Sequence, residues 1–168
     1  MYKSLSVLVP VYNEKNTIEK CLNRILNANT CGLELEILVS DNNSNDGTRE
    51  ILNSIKDPKI KIFFREINGG KGANIKNALK HANGDIILFQ DSDLEYSPES
   101  YPDLLRPFID SDADVVFGSR LTHAKTTKIV GFPNYIGNKI FTTLANFLFN
   151  RIFTDIATGY KVFKKEII

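Results

Sequence analysis

The sequence has no tryptophan, one methionine and only two cysteines among its 168 residues. Two cysteines are too few for the disulfide framework of a small secreted domain, and Cys21 and Cys31 do not have the spacing of metal ligands. We therefore expect both thiols to be reduced and to act as packing residues. That expectation favours a protein that works in the cytoplasm.

Long apolar runs and an excess of either charge are also missing. No run approaches the roughly 18 residues that a membrane-spanning helix needs, and residues 1–3 lead directly into a short apolar run without the pattern of a signal peptide. The formal net charge of +1 gives no electrostatic reason to bind nucleic acid. At 42% hydrophobic residues, the composition is typical of one soluble globular domain. The sequence predicts neither a nucleic-acid partner nor a particular oligomeric state.

What the sequence does contain is a regular alternation of two kinds of segment. Short apolar runs, typical of strands buried on both faces of a parallel sheet, occupy residues 5–9, 34–39, 60–64, 85–90 and 114–118. Segments with helical spacing lie between them, at residues 17–26, 48–55, 72–81 and 97–109. Asn16 is the expected N-cap of the first helix. This order predicts an α/β protein with a doubly wound, mostly parallel sheet.

Polar clusters follow four of the five predicted strands. They occupy residues 10–14, 41–48, 91–93 and 118–120. Since parallel strands end at one edge of their sheet, where open α/β folds bind ligands, these clusters are expected to meet in space. Their convergence indicates a binding site more strongly than any single motif does.

The cluster with the most specific chemistry is Asp91-Ser92-Asp93, directly after the fourth predicted strand. Two carboxylates so close together repel each other unless a cation compensates them. Mg²⁺ and Mn²⁺ take oxygen ligands and complete their shell with substrate phosphates, so the pair predicts a metal site that holds a diphosphate. Glu95 is either a third ligand or a solvated acid. An isolated Asp-x-Asp also arises in turns and helix caps, so the neighbouring clusters matter.

The other clusters each have two interpretations. Asp41 and Glu14 are placed to accept hydrogen bonds from a base or ribose, or else to form a turn and a helix start. Lys71, in a glycine-rich loop, would meet phosphate oxygens, although a flexible turn explains that loop nearly as well. Arg120 would bind a diphosphate through two parallel hydrogen bonds. For Asp46, capping of the second helix is the favoured interpretation.

Six segments together resemble the family 2 glycosyltransferases, which have the nucleotide-sugar-binding GT-A fold, and especially their dolichyl-phosphate and polyprenyl-phosphate glycosyl synthase branch. The segments are VPVYNE (9–14), VSDNNSNDGT (39–48), NGGKGANIKNAL (68–79), QDSDLEYSPE (90–99), VVFGSR (115–120) and TDIATGYKVFKKEII (154–168). The resemblance implies a transferase that moves a hexose from a UDP- or GDP-sugar donor to an acceptor. It also implies inversion at the anomeric carbon and the use of Mg²⁺ or Mn²⁺.

The resemblance assigns roles to individual residues. The implied nucleoside contacts are Pro10, Tyr12, Glu14 and Asp41. The implied ligands of the metal and of the donor diphosphate are Asp91, Asp93 and Glu95, and Arg120 would face phosphate. Asp155 and Lys161 fall in the acceptor-side segment, and Asp155 is the candidate general base for an acceptor hydroxyl.

The sequence also departs from the family pattern. Asn42 and Asn43 stand where the second loop usually has an acid and a glycine, which leaves the identity of the bound base open. Lys161 stands where arginine is frequent, so the charge remains but the planar fork is lost. Family members usually continue well beyond residue 168. Residues 1–168 are therefore expected to be a single glycosyltransferase catalytic domain shortened at its C-terminus.

The acceptor has more than one interpretation. A polyprenyl phosphate would place the protein at the inner face of the membrane, and Lys161, Lys164 and Lys165 would then form a cationic cluster for lipid phosphate. The aromatic-rich residues 141–153 would either rest on lipid or pack against the sheet, and we favour packing. The side chains expected to be buried in this way are Phe141, Leu144, Phe147 and Leu148.

Three alternatives remain beside transfer to a lipid phosphate. One is transfer to the hydroxyl of a soluble sugar, and another is a module that binds a nucleotide sugar without turnover. The third is a phosphatase with an aspartate nucleophile. It is disfavoured, because the Asp-x-Asp motif of such enzymes follows the first strand, whereas Asp91 follows the fourth predicted strand.

Overall fold

The structure, a computed structural model, describes residues 2–119 and 132–168, so Arg120 lies outside the described residues. Within these ranges the chain forms a six-stranded sheet. Its strands are β1 (Ser4–Val11), β2 (Glu34–Asp41), β3 (Ile60–Phe64), β4 (Ile86–Phe89), β5 (Val115–Phe117) and β6 (Lys161–Lys164). The strand order across the sheet is β3-β2-β1-β4-β6-β5.

The sheet is mostly parallel, as predicted. β1 pairs in parallel with β2 and β4, and β2 pairs in parallel with β3. β6 lies between β4 and β5 and is antiparallel to both. β5 therefore runs in the same direction as β4, and the loops that follow β1, β2, β4 and β5 all start at one edge of the sheet.

β6 is the strand that the sequence did not reveal. Its four residues begin and end with lysine, and Val162 is buried. Lys164 is almost completely buried, and its Nζ forms ion pairs with Asp114 at 2.7 Å and with Asp112 at 3.0 Å. Hydrogen bonds to these two carboxylates raise the pKa of Lys164. The predicted cationic cluster for lipid phosphate is therefore wrong for Lys164, whose charge is neutralised within the fold.

Five α-helices are present in the described ranges. They are α1 (Ile18–Leu26), α2 (Thr48–Ser54), α3 (Gly70–Leu79), α4 (Tyr101–Ser111) and α5 (Phe132–Phe149). The expected cap at Asn16 is wrong, because α1 begins at Ile18 and Thr17 is its N-cap. The backbone oxygen of Glu14 instead accepts hydrogen bonds from the nitrogens of Thr17 at 3.1 Å and of Ile18 at 2.9 Å.

Helices cover both faces of the sheet. The larger core contains residues of α1 and α4 packed on one face, where Val7 and Val9 of β1 are buried. The smaller core packs Ala78 of α3 against Leu8 on the opposite face. Alternate residues of β1 thus face opposite layers, as expected of a doubly wound fold. Cys21 is a packing residue as predicted, and burial raises the pKa of its thiol to about 12.

The outer surface of α5 contradicts the favoured interpretation of residues 141–153. Side chains expected to be buried against the sheet are instead exposed. The exposed fraction is 67% for Phe141, 50% for Leu144, 83% for Phe147 and 64% for Leu148. In the part of the chain that the structure describes, no helix combines the length and apolar character required to cross a bilayer. The apolar side of α5 is therefore a surface feature and not a part of the core.

Candidate functional site

The carboxyl ends of β1, β2 and β4 and the first turn of α3 surround a cavity of about 310 Å³. Predicted site residues that line it are Pro10, Tyr12, Glu14, Lys71, Asp91 and Asp93. Other residues, to which the sequence assigned no binding role, also line it, namely Val11, Asn42, Asn68, Gly70, Asn74 and Ser92. The predicted convergence of polar loops at one sheet edge is thus confirmed for three of the four loops.

The loops after β1 and β2 are tied together by hydrogen bonds from backbone nitrogens. The nitrogen of Asn13 donates to Ser44 Oγ at 2.8 Å, and that of Asn45 donates to Asn13 Oδ1 at 3.0 Å. The nitrogen of Glu14 donates to Thr48 Oγ1 at 2.9 Å. Asn13 has a φ of 56°, a left-handed conformation that asparagine tolerates better than most residues. These contacts hold one rim of the cavity in place.

Asp46 stabilises the turn that precedes α2, but it does not occupy the N-cap position that the predicted capping of this helix requires. Its Oδ1 accepts a hydrogen bond from the backbone nitrogen of Thr48 at 3.0 Å, and its Oδ2 accepts one from that of Lys15 at 3.1 Å. Although desolvation opposes the change, hydrogen bonds from the Thr48 hydroxyl and from these two backbone nitrogens lower the pKa of Asp46. The N-cap position itself is occupied by Gly47.

Asp41, at the end of β2, has a fully buried side chain. Its Oδ2 lies 2.7 Å from Arg49 Nε and accepts a hydrogen bond from the Ser44 nitrogen at 3.2 Å. Arg49 is held in turn by the backbone oxygen of Arg65 at 2.7 Å and lies over the Phe64 ring. Asp41 is not among the described residues that line the cavity. Its contact with the nucleoside stays a prediction.

Asn42, the next residue, borders the cavity although it is only 3% exposed. Its Oδ1 accepts hydrogen bonds from Arg65 Nη1 at 2.7 Å and from the Gly69 nitrogen at 3.1 Å. Its Nδ2 donates to Asn68 Oδ1 at 2.6 Å. A side chain at Gly69 would collide with the Arg65 guanidinium, whose Nη2 lies 2.8 Å from an ideal Cβ position. Asn42 therefore joins the loops after β2 and β3 at the cavity wall.

Asn74 is another asparagine to which the sequence assigned no role. It lies three residues after Lys71 on α3, a spacing that places both on the same helix face. Its Nδ2 donates to the backbone oxygens of Ser40 at 2.7 Å and Val11 at 3.2 Å. Its Oδ1 is buried and accepts no hydrogen bond from any described residue. A buried acceptor without a donor carries a desolvation cost, which a hydrogen bond from a ligand or a water would offset.

Asp91 and Lys71 form the closest charged contact in the cavity wall. Lys71 Nζ lies 2.6 Å from Asp91 Oδ1, and the lysine side chain is 58% exposed whereas that of Asp91 is 17% exposed. The ammonium group therefore compensates an acid that would otherwise repel Asp93. A cation beside this carboxylate is what the Asp-x-Asp pair requires.

The segment before β6 packs directly against Asp91. A Cβ atom at Gly159 would lie 2.6 Å from Asp91 Oδ2, so only glycine permits this approach. The nitrogen of Gly159 donates to the hydroxyl of Tyr96 at 2.7 Å. Buried Gln90 anchors the same region, because its Oε1 accepts hydrogen bonds from the hydroxyls of Tyr101 and Tyr160, both at 3.0 Å. Burial raises the pKa of Tyr160, so this hydroxyl remains a donor.

The oxygen atoms at the cavity fit a divalent cation whose coordination shell also includes atoms of a bound substrate. Asp91 and Asp93 supply carboxylate oxygens at the cavity, but the described residues contain no cluster of three or more His, Cys, Asp or Glu placed to hold a metal together. Mg²⁺ bound by one or two carboxylates takes its remaining ligands from water and substrate phosphates. The role of Glu95 as a third ligand stays a prediction. Its side chain is exposed, and its nitrogen donates to Asp93 Oδ1 at 3.0 Å.

Asp155 lies on the segment that joins α5 to β6, and Lys161 is the first residue of β6. Asp155 is buried, and its Oδ1 accepts a hydrogen bond from Asn138 Nδ2 of α5 at 2.8 Å. Lys161 Nζ donates to the backbone oxygen of Thr158 at 2.7 Å. The predicted roles of Asp155 and Lys161 at an acceptor site remain untested, and that of Arg120 falls outside the described residues.

The Lys71–Asp91 contact leads to a prediction about metal binding. Lys71→Met keeps much of the side-chain length but removes the charge that occupies Asp91. We expect it to tighten Mn²⁺ binding without nucleotide by up to about fivefold, the scale of an exposed ion pair. We expect it to weaken UDP or GDP binding at saturating Mn²⁺ by about tenfold, because a charge-assisted bond to phosphate is lost. Isothermal titration of Mn²⁺ and then of nucleotide measures both.

The matched control is Lys76→Met, which removes an exposed charge from the same helix outside the cavity lining. It should change neither constant. Equal Mn²⁺ and nucleotide affinities in Lys71→Met and the unaltered protein would show that Lys71 takes no part in either binding step.

Comparison with known proteins places this geometry in a family. Residues 6–168 match the family described as Glycosyl transferase family 2. A dolichol-phosphate mannosyltransferase of Pyrococcus furiosus is 33% identical over 132 residues, which cover 78% of this chain and 36% of that protein. The chain thus spans about a third of the length of this relative.

Solved structures share the fold. A mannosyltransferase of Pyrobaculum calidifontis in complex with GDP-Man and Mn²⁺ aligns with 99% of this chain and 46% of its own, at a TM-score of 0.67 and 22% identity. A glucosyl-3-phosphoglycerate synthase of Mycobacterium tuberculosis in complex with Mn²⁺, uridine diphosphate and its product aligns with 98% of this chain and 57% of its own. Its TM-score is 0.69 and its sequence identity 24%. Both likenesses support the predicted GT-A architecture.

Proposed function

The chain belongs to glycosyl transferase family 2, and from this membership and the cavity geometry we propose that it transfers a hexose from a nucleotide-sugar donor to an acceptor. The proposed donor is a UDP- or GDP-sugar, and the proposed metal is Mg²⁺ or Mn²⁺. Relatives of this fold bind such nucleotides with Mn²⁺. The proposed catalytic unit is the single domain of residues 1–168.

The observation that carries this proposal is the contact of Lys71 with Asp91 beside Asp93, in one cavity at the carboxyl edge of the sheet. A diphosphate needs positive charge on several oxygens, and a metal needs carboxylates. This cavity offers a cationic side chain next to the two acids of the Asp-x-Asp pair, and Glu14 is a third acid in its lining. The exposed first turn of α3, where Gly70 borders the cavity, adds the positive end of a helix dipole.

The nucleoside has its own set of side chains in the proposed complex. Tyr12 lines the cavity and is 47% exposed, so its ring would pack on a base. Asn74 Oδ1, which has no described donor, would accept a hydrogen bond from the base or the ribose. Pro10 and Glu14 line the same wall, whereas a contact from Asp41 would require a shift of the loop around it.

The chemistry follows from the leaving group. A divalent ion held by Asp91 and Asp93 would neutralise charge on the departing diphosphate. Lys71, displaced from Asp91 by that ion, would then contact a phosphate oxygen through its flexible side chain. The acceptor attacks from the face of the sugar opposite the diphosphate, so the proposed reaction inverts the anomeric carbon.

We propose a polyprenyl phosphate as the acceptor and the cytoplasmic face of the membrane as the place of action. Support comes from the acceptor-side segment at residues 154–168 and from the name of the Pyrococcus relative. A phosphate acceptor is already ionised near neutral pH and does not need a general base. A sugar hydroxyl, the alternative acceptor, does need one, and Asp155 is the candidate.

Replacement of Asp155 separates the two acceptor classes. Asp155→Asn keeps an oxygen that can accept the Asn138 hydrogen bond but cannot take a proton. With a phosphate acceptor we expect transfer within about tenfold of the unaltered protein, whereas with a hydroxyl acceptor kcat should fall on the order of 10²-fold or more. The measurement is transfer of label from radioactive donors to undecaprenyl phosphate in detergent or to soluble glycosides. Asp155→Ala, which also removes the hydrogen bond, reports the structural contribution of this residue.

The first experiment is a thermal-shift screen of UDP-, GDP- and dTDP-sugars with and without Mn²⁺. A donor that stabilises the protein only with Mn²⁺ is then used in the transfer assay. Stabilisation without any transfer or donor hydrolysis would favour the alternative of a binding module. Labelling of a soluble glycoside but not of the lipid would rule out the lipid-phosphate acceptor.

A further inference from the structure

Helix α5 has its polar side toward the protein. Asn138 holds Asp155, and Thr142 Oγ1 accepts a hydrogen bond from the nitrogen of Ile156 at 3.3 Å. Asn146 exchanges two hydrogen bonds with the backbone of Phe153, at 2.7 Å and 3.0 Å. This arrangement is the reverse of an ordinary surface helix, which packs its apolar stripe on the core.

The opposite side of α5 is a continuous apolar stripe. Its members recur every three or four residues and therefore share one face, here named the α5 outer face. They are Phe132, Ile136, Ile140, Leu144 and Phe147, and all are exposed. Phe141 and Leu148 flank the stripe, and Phe149 at the end of the helix and Ile152 beyond it are 65% and 93% exposed. Soluble monomers rarely expose apolar patches of this extent.

The charge around the α5 outer face has one sign. Residues 132–153 contain no aspartate or glutamate, and their two charged residues are Lys139 and Arg151, both exposed. A symmetric pairing of two copies through this face would bring these cations together without a partner acid from the helix. Anionic lipid headgroups would complement them while the acyl region covers the apolar stripe.

We propose that the α5 outer face docks onto the interfacial region of an anionic phospholipid bilayer. The helix lies in the plane of the membrane with its apolar stripe in the acyl boundary and Lys139 and Arg151 at headgroup level. The apolar stripe and the two cations have the pattern of an interfacial amphipathic helix, and no helix in the described ranges is long and apolar enough to be a span. The surface is built into the fold, since polar contacts on the inner side of α5 fix its orientation.

The α5 outer face is connected to the cavity by a short structural path. Asn138 binds Asp155, and a few residues further along the same segment Gly159 packs against Asp91. Docking through α5 therefore brings the Asp91 side of the cavity close to the bilayer. The closeness of the cavity to the bilayer matters only for a lipid-linked acceptor, so this part of the inference rests on the proposed function. Binding of the protein to a membrane can be measured without any sugar transfer.

Co-sedimentation with vesicles tests the proposal. The full chain is mixed with phosphatidylcholine vesicles and with vesicles in which about a third of the lipid is phosphatidylglycerol. We expect preferential binding to the anionic vesicles. Ile140→Ser with Phe147→Ser should lower the partition coefficient by at least about tenfold, because the apolar contact is lost. Lys139→Gln and Arg151→Gln should each lower it by about fivefold on anionic vesicles only.

Ile109→Ser is the matched control, since Ile109 is an apolar residue on α4 with 47% exposure, and it should bind vesicles like the unaltered protein. Melting temperature and Mn²⁺-dependent nucleotide binding establish that each variant is folded and has an intact cavity. Vesicle binding that survives the Ile140/Phe147 change, or that is absent from the unaltered protein, overturns the proposal. So does a dimer in light scattering that this double change converts to a monomer without any vesicle binding. Loss of sugar transfer with vesicle binding retained would instead count against the proposed function.

Discussion

Asp93→Ala is expected to abolish the Mn²⁺-dependent rise in melting temperature that a nucleoside diphosphate produces. Asp93 is one of the two acids of the Asp-x-Asp pair, so its loss leaves the ion only Asp91 from that pair. We expect the affinity for UDP or GDP in Mn²⁺ to fall at least about 10²-fold, to the value measured in EDTA. Isothermal titration with and without metal gives both constants.

The fold should tolerate this change. The Asp93 side chain is exposed, and its Oδ1 accepts a local hydrogen bond from the nitrogen of Glu95. The free energy of unfolding should therefore change by less than about 1 kcal/mol. Asp110→Ala, which removes an exposed acid from α4, controls for net charge and should leave nucleotide binding unaltered. Glu95→Gln in the same titration tests the predicted third ligand.

Equal nucleotide affinity in EDTA and in Mn²⁺, measured on the unaltered protein, would exclude the metal assignment for Asp91 and Asp93 together. The Lys71–Asp91 ion pair would then be a permanent part of the cavity wall and not a contact that a metal displaces.

Asp41→Ala is expected to lower the free energy of unfolding by about 3 kcal/mol, the lower end of the range for removal of one partner from a buried ion pair. The Asp41 side chain is fully buried and that of Arg49 is 29% exposed. The change leaves Arg49 partly buried without its carboxylate and removes an acceptor from the nitrogen of Ser44. The lower end applies because water reaches part of Arg49. Urea denaturation followed by circular dichroism measures the change.

Two controls separate burial from charge. The Arg24–Glu99 pair has the same 2.7 Å separation, but the Glu99 side chain is 69% exposed. Glu99→Ala should therefore cost less than about 1 kcal/mol. Asp41→Asn keeps an acceptor oxygen for Arg49 and should cost less than Asp41→Ala. If Asp41→Ala lowers the free energy of unfolding by no more than Glu99→Ala does, burial does not strengthen the Asp41–Arg49 ion pair.

Asp41→Asn also tests the implied nucleoside contact while most of the protein remains folded. A rise in the dissociation constant of the nucleotide that corresponds to a loss of about 1–3 kcal/mol of binding free energy would support direct recognition by the carboxylate. An unchanged constant would limit Asp41 to the stability of the loop. Asn42 and Asn74, which border the cavity, would then be the better candidates for base recognition.

The sequence alone was sufficient for the central part of the fold. Five strands were predicted because each is a short apolar run, a pattern that can be recognised without knowing which strands pair. Most of β1, β2 and β4 is buried, whereas the edge strands β3 and β5 are only partly buried. The positions of Asp91 and Asp93 followed from the same pattern, since a polar cluster after a parallel strand must lie at its carboxyl edge. The ion pair between Lys71 and Asp91 was not predicted from the sequence and is seen only in the folded chain. The sequence had predicted that Lys71 contacts phosphate and that Asp91 binds the metal.

Contacts between distant segments decided the remaining features. β6 has two lysines in four residues, and it is a strand because β4 and β5 flank it and Asp112 and Asp114 neutralise Lys164. Asp41 and Asn42 are adjacent acceptors in the sequence, yet Arg49 binds the first inside the fold while the second borders the cavity.

The orientation of α5 could not be determined from the sequence of the helix alone. Helical spacing determined that Phe141, Leu144, Phe147 and Leu148 belong to a helix with an apolar side, but the same spacing fits a stripe that faces inward or outward. Hydrogen bonds of Asn138, Thr142 and Asn146 to the segment after the helix fixed the polar side inward. Periodicity is a local property that sequence alone determines. The side that a helix buries depends on partners that only the tertiary structure brings to it.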